Sequence, residues 1–318
     1  MGSSYLAVAF LLVSLNFFLP RALPGDPIAA LENPQSATYI GDASTRSDVA
    51  QHYGLDRPPL EQYRSYLADL ARGDLGTSIQ YNAPVTKVLA ERLPWSLLLI
   101  GTALTLATAA GMLAGIHSGW RRGGRVDRRL LASFIVVDNL PAFFVAFLAA
   151  QVLAVKLGWF PLSGAQTPFA SDFSSLERVG DVAGHLLLPA TVLALQFATY
   201  QYLVMRAGML GVLGSDYLQL GRAKGLGDRV LKYRYAARNA LLPAVTVAGL
   251  QIGVAVTAAI FVETVFAYPG VGRLMFEAIG ERDYPTMQGC FLVLGMLTVT
   301  VNGLADLAYR RLDPRTRA

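Results

Sequence analysis

The chain has 318 residues, 53% hydrophobic and only 15% charged, with a mean hydropathy of +0.42. That balance points to a polytopic membrane protein and argues against a soluble globular enzyme. A net charge of +5 could serve nucleic acid, but the basic residues stand in loops beside apolar runs, where membrane topology alone explains them. The single cysteine, Cys290, excludes an intramolecular disulfide and any cysteine-based metal cluster, and its apolar surroundings make it a small packed residue.

A membrane span takes about 20 mostly apolar residues. In chain order six segments qualify: Tyr5–Leu19, Trp95–Ser118, Leu130–Val155, Leu186–Met205, Pro243–Val262 and Thr286–Ala305. The first is short. No basic stretch precedes it, and Pro20-Arg-Ala-Leu-Pro24 follows where a small-residue cleavage site would stand. It therefore reads as a span and not as a signal peptide, with its basic lead-in expected to be missing from a shortened or altered start.

The expected fold is an all-α integral membrane protein with six transmembrane helices. Residues 1–20 form the first helix, 21–92 a helical extracellular subdomain, and 93–318 the remaining five helices with a cytoplasmic loop over 206–242. In the 21–92 segment Leu60, Tyr63, Leu67 and Leu70 recur at helical spacing, Pro58 and Pro59 open the helix, and Gly73 closes it. Such a subdomain either meets a delivery protein or caps the spans.

Orientation follows from the basic residues. The loop after span two carries Arg121, Arg122, Arg125, Arg128 and Arg129; the tail carries Arg310, Arg311, Arg315 and Arg317. The loop after span four holds seven Lys/Arg between Arg206 and Arg238, against two Asp. These three short segments share one side, so both termini are expected in the cytoplasm and the Arg21–Arg92 loop outside.

Polar residues inside spans are few. Asp138 is the one charge well inside a span, beside Asn139 and ahead of Pro141. Intramembrane carboxylates face a cavity or a partner. Asp138 and Asn139 are thus candidates to line a substrate pathway, with a structural pairing as the rival. Gln196, Tyr200, Gln201, Gln251 and Asn302 are candidates of the same kind, with interhelical hydrogen bonding equally open. Gly111, Gly115 and Gly119 form a stripe of small residues suited to close helix packing.

No catalytic constellation stands out. There is no GxxxxGK[ST] phosphate loop, no HExxH and no paired metal-ligand spacing, and His52, His117 and His185 are scattered. The chain should not hydrolyse ATP itself and should hold no metal.

The loop after span four is too long for a plain connector. Asp216 is placed to cap a short helix, with Gln219 three residues on in a capping-box-like arrangement. Gly225 and Gly227 break it, Arg229–Leu242 forms a second helix, and Pro243 ends or kinks that helix. The first helix either lies in the membrane interface or inserts into a groove on a soluble partner.

At this point the residues resemble a known family. Asp216-Tyr217, then Arg222-Ala-Lys-Gly-Leu226, then Arg238-Asn239-Ala-Leu-Leu-Pro243, resembles the cytoplasmic EAA-type loop of binding-protein-dependent ABC importer permeases. The closest resemblance is to the B-type subunit of the oligopeptide/dipeptide/nickel group. Further motifs follow in order: Pro24-Gly-Asp-Pro27, Tyr53-Gly-Leu-Asp56, Gly73-Asp-Leu-Gly-Thr-Ser78, Arg92-Leu-Pro94, Pro269-Gly-Val-Gly-Arg273, Arg282-Asp-Tyr-Pro285 and Leu312-Asp-Pro-Arg315. The Glu-Ala-Ala that names the loop falls here on Gln219, Leu220 and Gly221.

The resemblance implies a permease subunit of an ATP-driven importer in the bacterial inner membrane, most simply for di- and oligopeptides. Nickel chelates, glutathione or another small solute would use the same machinery. It implies a second homologous permease, two ATP-binding cassette ATPases, and an extracellular or lipid-anchored substrate-binding protein. ATP and Mg2+ would sit on the ATPases, with no cofactor on this chain. The implied coupling residues are Asp216, Tyr217, Arg222, Ala223, Lys224, Gly225, Leu226, Arg238, Asn239 and Pro243. A stand-alone secondary transporter would need midplane acids or inverted repeats, of which the chain shows one Asp and no clear repeat.

Overall fold

The computed structural model describes residues 2–22, 57–169 and 173–312. The motifs at Pro24–Pro27 and Tyr53–Asp56, and His52, lie outside these residues. Nearly everything described is helical; the only strand-like pairing among them is an isolated bridge between Thr77 and Pro84. The helices are α1 (Gly2–Ala22), α2 (Pro59–Ala71), α3 (Val85–Trp120), α4 (Arg125–Asp138) and α5 (Ala142–Ala149), the last continued by a π-helix, Ala150–Lys156. After them come α6 (Ser175–Val212), α7 (Asp216–Ala223), a π-helix at Leu231–Ala237, α8 (Arg238–Val265), α9 (Val271–Gly280) and α10 (Tyr284–Leu312).

Four of these are long and apolar enough to cross a membrane, and a fifth span results if α4 and α5 are counted together. That pair is bent by 101° at Leu140-Pro141. The segment expected as the third span is thus divided into two helices: Pro141 has no N–H to continue α4 and instead opens α5. Pro94, Pro189 and Pro243 lie inside α3, α6 and α8. Pro243 therefore does not end the helix that precedes the fifth span; α8 runs through it.

The chain divides into two compact units. The first holds residues 1–95 and 269–299. There α2 begins after Pro58 and ends at Gly73, whose φ of +77° suits glycine. Tyr63 and Tyr66 pack on the buried Phe17, and Tyr66 accepts from Asn16 at 3.1 Å. Two of the sequence motifs meet at Asp283, which is buried. Its carboxylate accepts from Ser78 Oγ, from the Gln80 N–H and from both the N–H and Oγ of Thr286. Gly73–Ser78 and Arg282–Pro285 therefore form one hydrogen-bonded knot. Tyr81 donates to Glu277 at 3.2 Å; its burial, and next the Glu277 charge, push its hydroxyl above the usual phenol range and keep the donor proton in place.

The second unit holds residues 96–268 and 300–318. Its helices approach closely wherever a glycine faces a neighbour. A Cβ at Gly111 would meet the Ala198 carbonyl at 2.6 Å; at Gly115, the Tyr202 carbonyl at 2.8 Å; at Gly119, Met209 Cβ at 2.5 Å. The stripe of small residues is the seam between α3 and α6. Gly208 plays the same part against Ala240 of α8. Along that second seam the side-chain amides of Gln201 and Gln251 hydrogen-bond at 2.9 Å.

Candidate functional site

The loop between α6 and α8 is built on a buried core of its own. Met205 and Met209 of α6, Leu218 of α7, Leu231, Ala236 and Ala237 of the π-helix, Ala240 and Ala244 of α8, and Ile116 of α3 form one cluster. Leu218 and Leu231 are fully buried. Gly221 stands one turn beyond Leu218 on the same face, and a Cβ there would meet Leu231 Cδ2 at 2.6 Å. So α7 rests on the membrane domain through Leu218, Gly221 and the half-buried Tyr217.

The other face of α7 is open. Asp216, Gln219, Leu220, Arg222, Ala223 and Lys224 are exposed, Leu220 by 56%. The result is a short helix, fixed from below, that presents an apolar residue among charges. Arg222 also lies over the Trp120 ring, its guanidinium carbon 5.9 Å from the ring centroid.

The helix start and stop are defined locally. Ser215, not Asp216, is the N-cap, and no side-chain cap bond forms; Asp216 stands in the first turn, where its charge favours the positive end of the helix dipole. Gln219 reaches back toward the Gly214 carbonyl at 3.5 Å instead of closing a capping box. At the other end Gly225 has φ +75°, its N–H donates to Arg222 O, and the Leu226 N–H donates to Gly221 O. This pair of bonds is a Schellman motif, which needs a left-handed residue at Gly225 and turns Leu226 back onto the buried cluster. Leu226 thus holds the loop down and does not face outward. Arg238, Asn239 and Pro243 are exposed on the first turns of α8, and Asn239 Nδ2 donates to Tyr235 O at 2.9 Å.

The pathway candidates are placed differently from one another. Asp138 and Asn139 are exposed at the break between α4 and α5. Gln196 Nε2 approaches the Leu140 carbonyl at 3.5 Å, beside that break. Tyr200 is exposed, whereas Gln201 is fully buried and holds Gln251 across the α6–α8 seam. Gln251 also donates to Phe197 O at 3.1 Å. Asn302 is half-buried on α10.

Two features escape a reading of the sequence. Glu263, fully buried near the end of α8, accepts from Ser96 Oγ at 2.6 Å, so Asp138 is not the only acid within a span. A boundary drawn at Val262 hides it. The second is an ion pair between Asp127 and Arg206, which lie 79 residues apart. Both read as loop charges by composition; only their contact distinguishes them.

Known proteins are similar to this chain in sequence. Residues 107–318 match the family described as binding-protein-dependent transport system inner membrane component. A Brucella suis protein named as a peptide permease is 39% identical over 313 residues, covering 98% of this chain and 96% of the relative. The oligopeptide transport system permease protein AppB of Bacillus subtilis is 33% identical over 302 residues, 95% of this chain and 92% of its own. The dipeptide transport system permease protein DppB of Alkalihalophilus pseudofirmus is 33% identical over 316 residues, with 95% and 93% covered.

Proposed function

The chain belongs to the family of binding-protein-dependent transport system inner membrane components, and from that premise we propose that it is the membrane-spanning subunit of an ATP-driven importer of di- and oligopeptides. The observation that carries this reading is the two-sided α7. Its inner face, with Leu218 and Gly221, is buried in the membrane domain, and its outer face, with Gln219, Leu220, Arg222, Ala223 and Lys224, is exposed. A helix mounted this way transmits force from a soluble partner along its axis.

The partners are two ATPase subunits, each receiving one such loop, a second homologous permease, and an extracellular binding protein that delivers the peptide. ATP and Mg2+ act on the ATPases; this chain supplies the pathway and the lever. ATPase closure biases an equilibrium between inward- and outward-facing states. The six-helix layout takes α1 as the first span and α4–α5 as the third, with 21–92 outside and both termini in the inner-membrane cytoplasmic face.

Topology is read by labelling in a Cys290→Ala background. A cysteine replacing the exposed Gln80 should react with a membrane-impermeant thiol reagent in intact cells, and one replacing the exposed Arg229 only after permeabilisation. Lys232, though basic and in the same loop, is unsuitable because it is buried beside His117, with 2.9 Å between Nζ and Nδ1. Labelling of Arg229→Cys from outside reverses the orientation.

Asp138 tests the substrate. Its exposure at the break between α4 and α5 supports the reading that it meets a peptide's cationic groups. With the assembled importer in proteoliposomes, Asp138→Asn should lower ATP-dependent uptake of peptides with a free amino terminus by about tenfold, the loss of one charged hydrogen bond. Uptake of amino-blocked neutral peptides should change far less. Equal losses for both assign Asp138 a structural part.

A further inference from the structure

We propose that the Asp127–Arg206 ion pair is a positioning element that locks the end of α3, the start of α4 and the middle of the α6–loop junction into one rigid lever. The inference deepens the coupling reading of α7 and rests on it.

The geometry is specific. Asp127 is 2% exposed. Its Oδ1 accepts from Arg206 Nε at 2.7 Å and its Oδ2 from a terminal Arg206 nitrogen at 2.9 Å. Oδ1 also accepts from Ser118 Oγ, and Oδ2 from the Gly123 N–H at 2.8 Å. Gly123 reaches that bond with φ +75°, a conformation that favours glycine. Ser118 in turn pairs with Tyr202 at 2.7 Å, and Tyr202 stacks on Phe134 with ring centroids 4.4 Å apart. One carboxylate therefore ties α3, the turn after it, α4 and α6.

A buried ion pair is weak evidence for stability, because apolar side chains of similar volume often stabilise as well. What the bidentate pair adds is direction: a guanidinium fork fixes the carboxylate plane, and with it the rotation of α4 against α6. Position gives that rigidity a use. Met205 and Met209 stand on either side of Arg206 on α6, and both belong to the cluster that seats Leu218 and Leu231 of the coupling loop. A push on α7 therefore reaches the helical turn that carries Arg206. From there it passes through Asp127 into α4. The Thr199 hydroxyl donating to Phe134 O at 3.1 Å holds α4 along α6 further on. The far end of α4 is Asp138, at the break. The lever thus runs from the ATPase-facing helix to the exposed carboxylate.

The experiment uses the full importer complex in proteoliposomes, with spin labels on Arg128→Cys and Arg229→Cys in the Cys290→Ala background. Both positions are exposed and outside the clamp and the buried cluster. One narrow distance distribution is expected, unchanged when ATP is trapped. Asp127→Asn should broaden it and lower the peptide moved per ATP hydrolysed by about tenfold. Arg206→Lys keeps the charge but loses the fork, and should lie between; it also serves if Asp127→Asn fails to assemble. A nucleotide-dependent shift in the unmutated clamp overturns the proposal. So does undiminished transport per ATP in the assembled fraction of either variant, the signature of a purely stabilising pair. A constant distance combined with no contact between α7 and the ATPase supports the clamp and removes the coupling reading instead.

Discussion

Gly225→Val should abolish the stimulation of ATP hydrolysis by peptide-loaded binding protein while leaving the complex assembled. The reason is local. Gly225 sits at φ +75°, and a residue with a Cβ pays about 1–2 kcal/mol there, most for a β-branched one. That cost is within the stability reserve of a folded domain. The functional damage is larger than the energetic one. Losing the left-handed residue breaks the Schellman bonds from Gly225 N–H to Arg222 O and from Leu226 N–H to Gly221 O. Leu226 then leaves the buried cluster, and the C-terminal end of α7 is no longer fixed. Stimulated hydrolysis should fall at least tenfold, toward the rate without binding protein, a drop of about 1.4 kcal/mol in coupling. Gly225→Asn is the control: asparagine tolerates the left-handed region, so coupling should be largely retained. Among the described residues nothing lies within 4 Å of a Cβ at Gly225, so a clash with them does not compete as an explanation.

Gly115→Val should act at the opposite end of the scale, on folding itself. Its Cβ would stand 2.8 Å from both the Tyr202 carbonyl and Met205 Cβ, and 3.0 Å from the Arg206 nitrogen. Two of those three atoms are backbone, so the neighbours cannot rotate away; α3 and α6 must separate. Overpacking costs about 1–3 kcal/mol where side chains can adjust, and more is expected here. Separation would also pull Ser118 from Asp127 and Tyr202. The yield of detergent-solubilised protein and its thermal midpoint should both fall sharply. Gly101→Ala, on the same helix but with nothing among the described residues within 4 Å, should leave both unchanged. Similar losses for the two would remove the glycine seam as the cause.

These two glycines show what the sequence makes legible. The seam over Gly111, Gly115 and Gly119 is readable because helix geometry alone puts residues four apart on one face. The helix at Pro59–Ala71 is readable for the same reason, from Leu60, Tyr63, Leu67 and Leu70 between Pro58 and Gly73. The segment over 206–242 is readable as a loop, through its charge and its motif. Its two faces are not, because Leu218 and Leu220 are the same residue type. Only the position of Leu231 above Gly221 shows which leucine is buried. The π-helix at Leu231–Ala237 leaves no mark in hydrophobic period, so the second loop helix appears in the sequence as ordinary α. The 101° bend at Leu140-Pro141 is partly legible from Pro141, but a proline inside a span gives no angle; Pro94, Pro189 and Pro243 sit in helices that continue. Asp127 and Arg206 are invisible as a pair, since contact across 79 residues has no signature in a single chain.

The most direct test of the coupling surface is disulfide trapping between α7 and the groove of the ATPase. Leu220→Cys and Ala223→Cys, both on the exposed face, should crosslink to cysteines placed in that groove, with a yield that changes when nucleotide binds. Leu218→Cys, on the buried face, should not crosslink in any state. Crosslinks from Leu218 in place of Leu220 and Ala223, or none from any of the three in an importer that hydrolyses ATP and moves peptide, would contradict a coupling helix docked through its outer face.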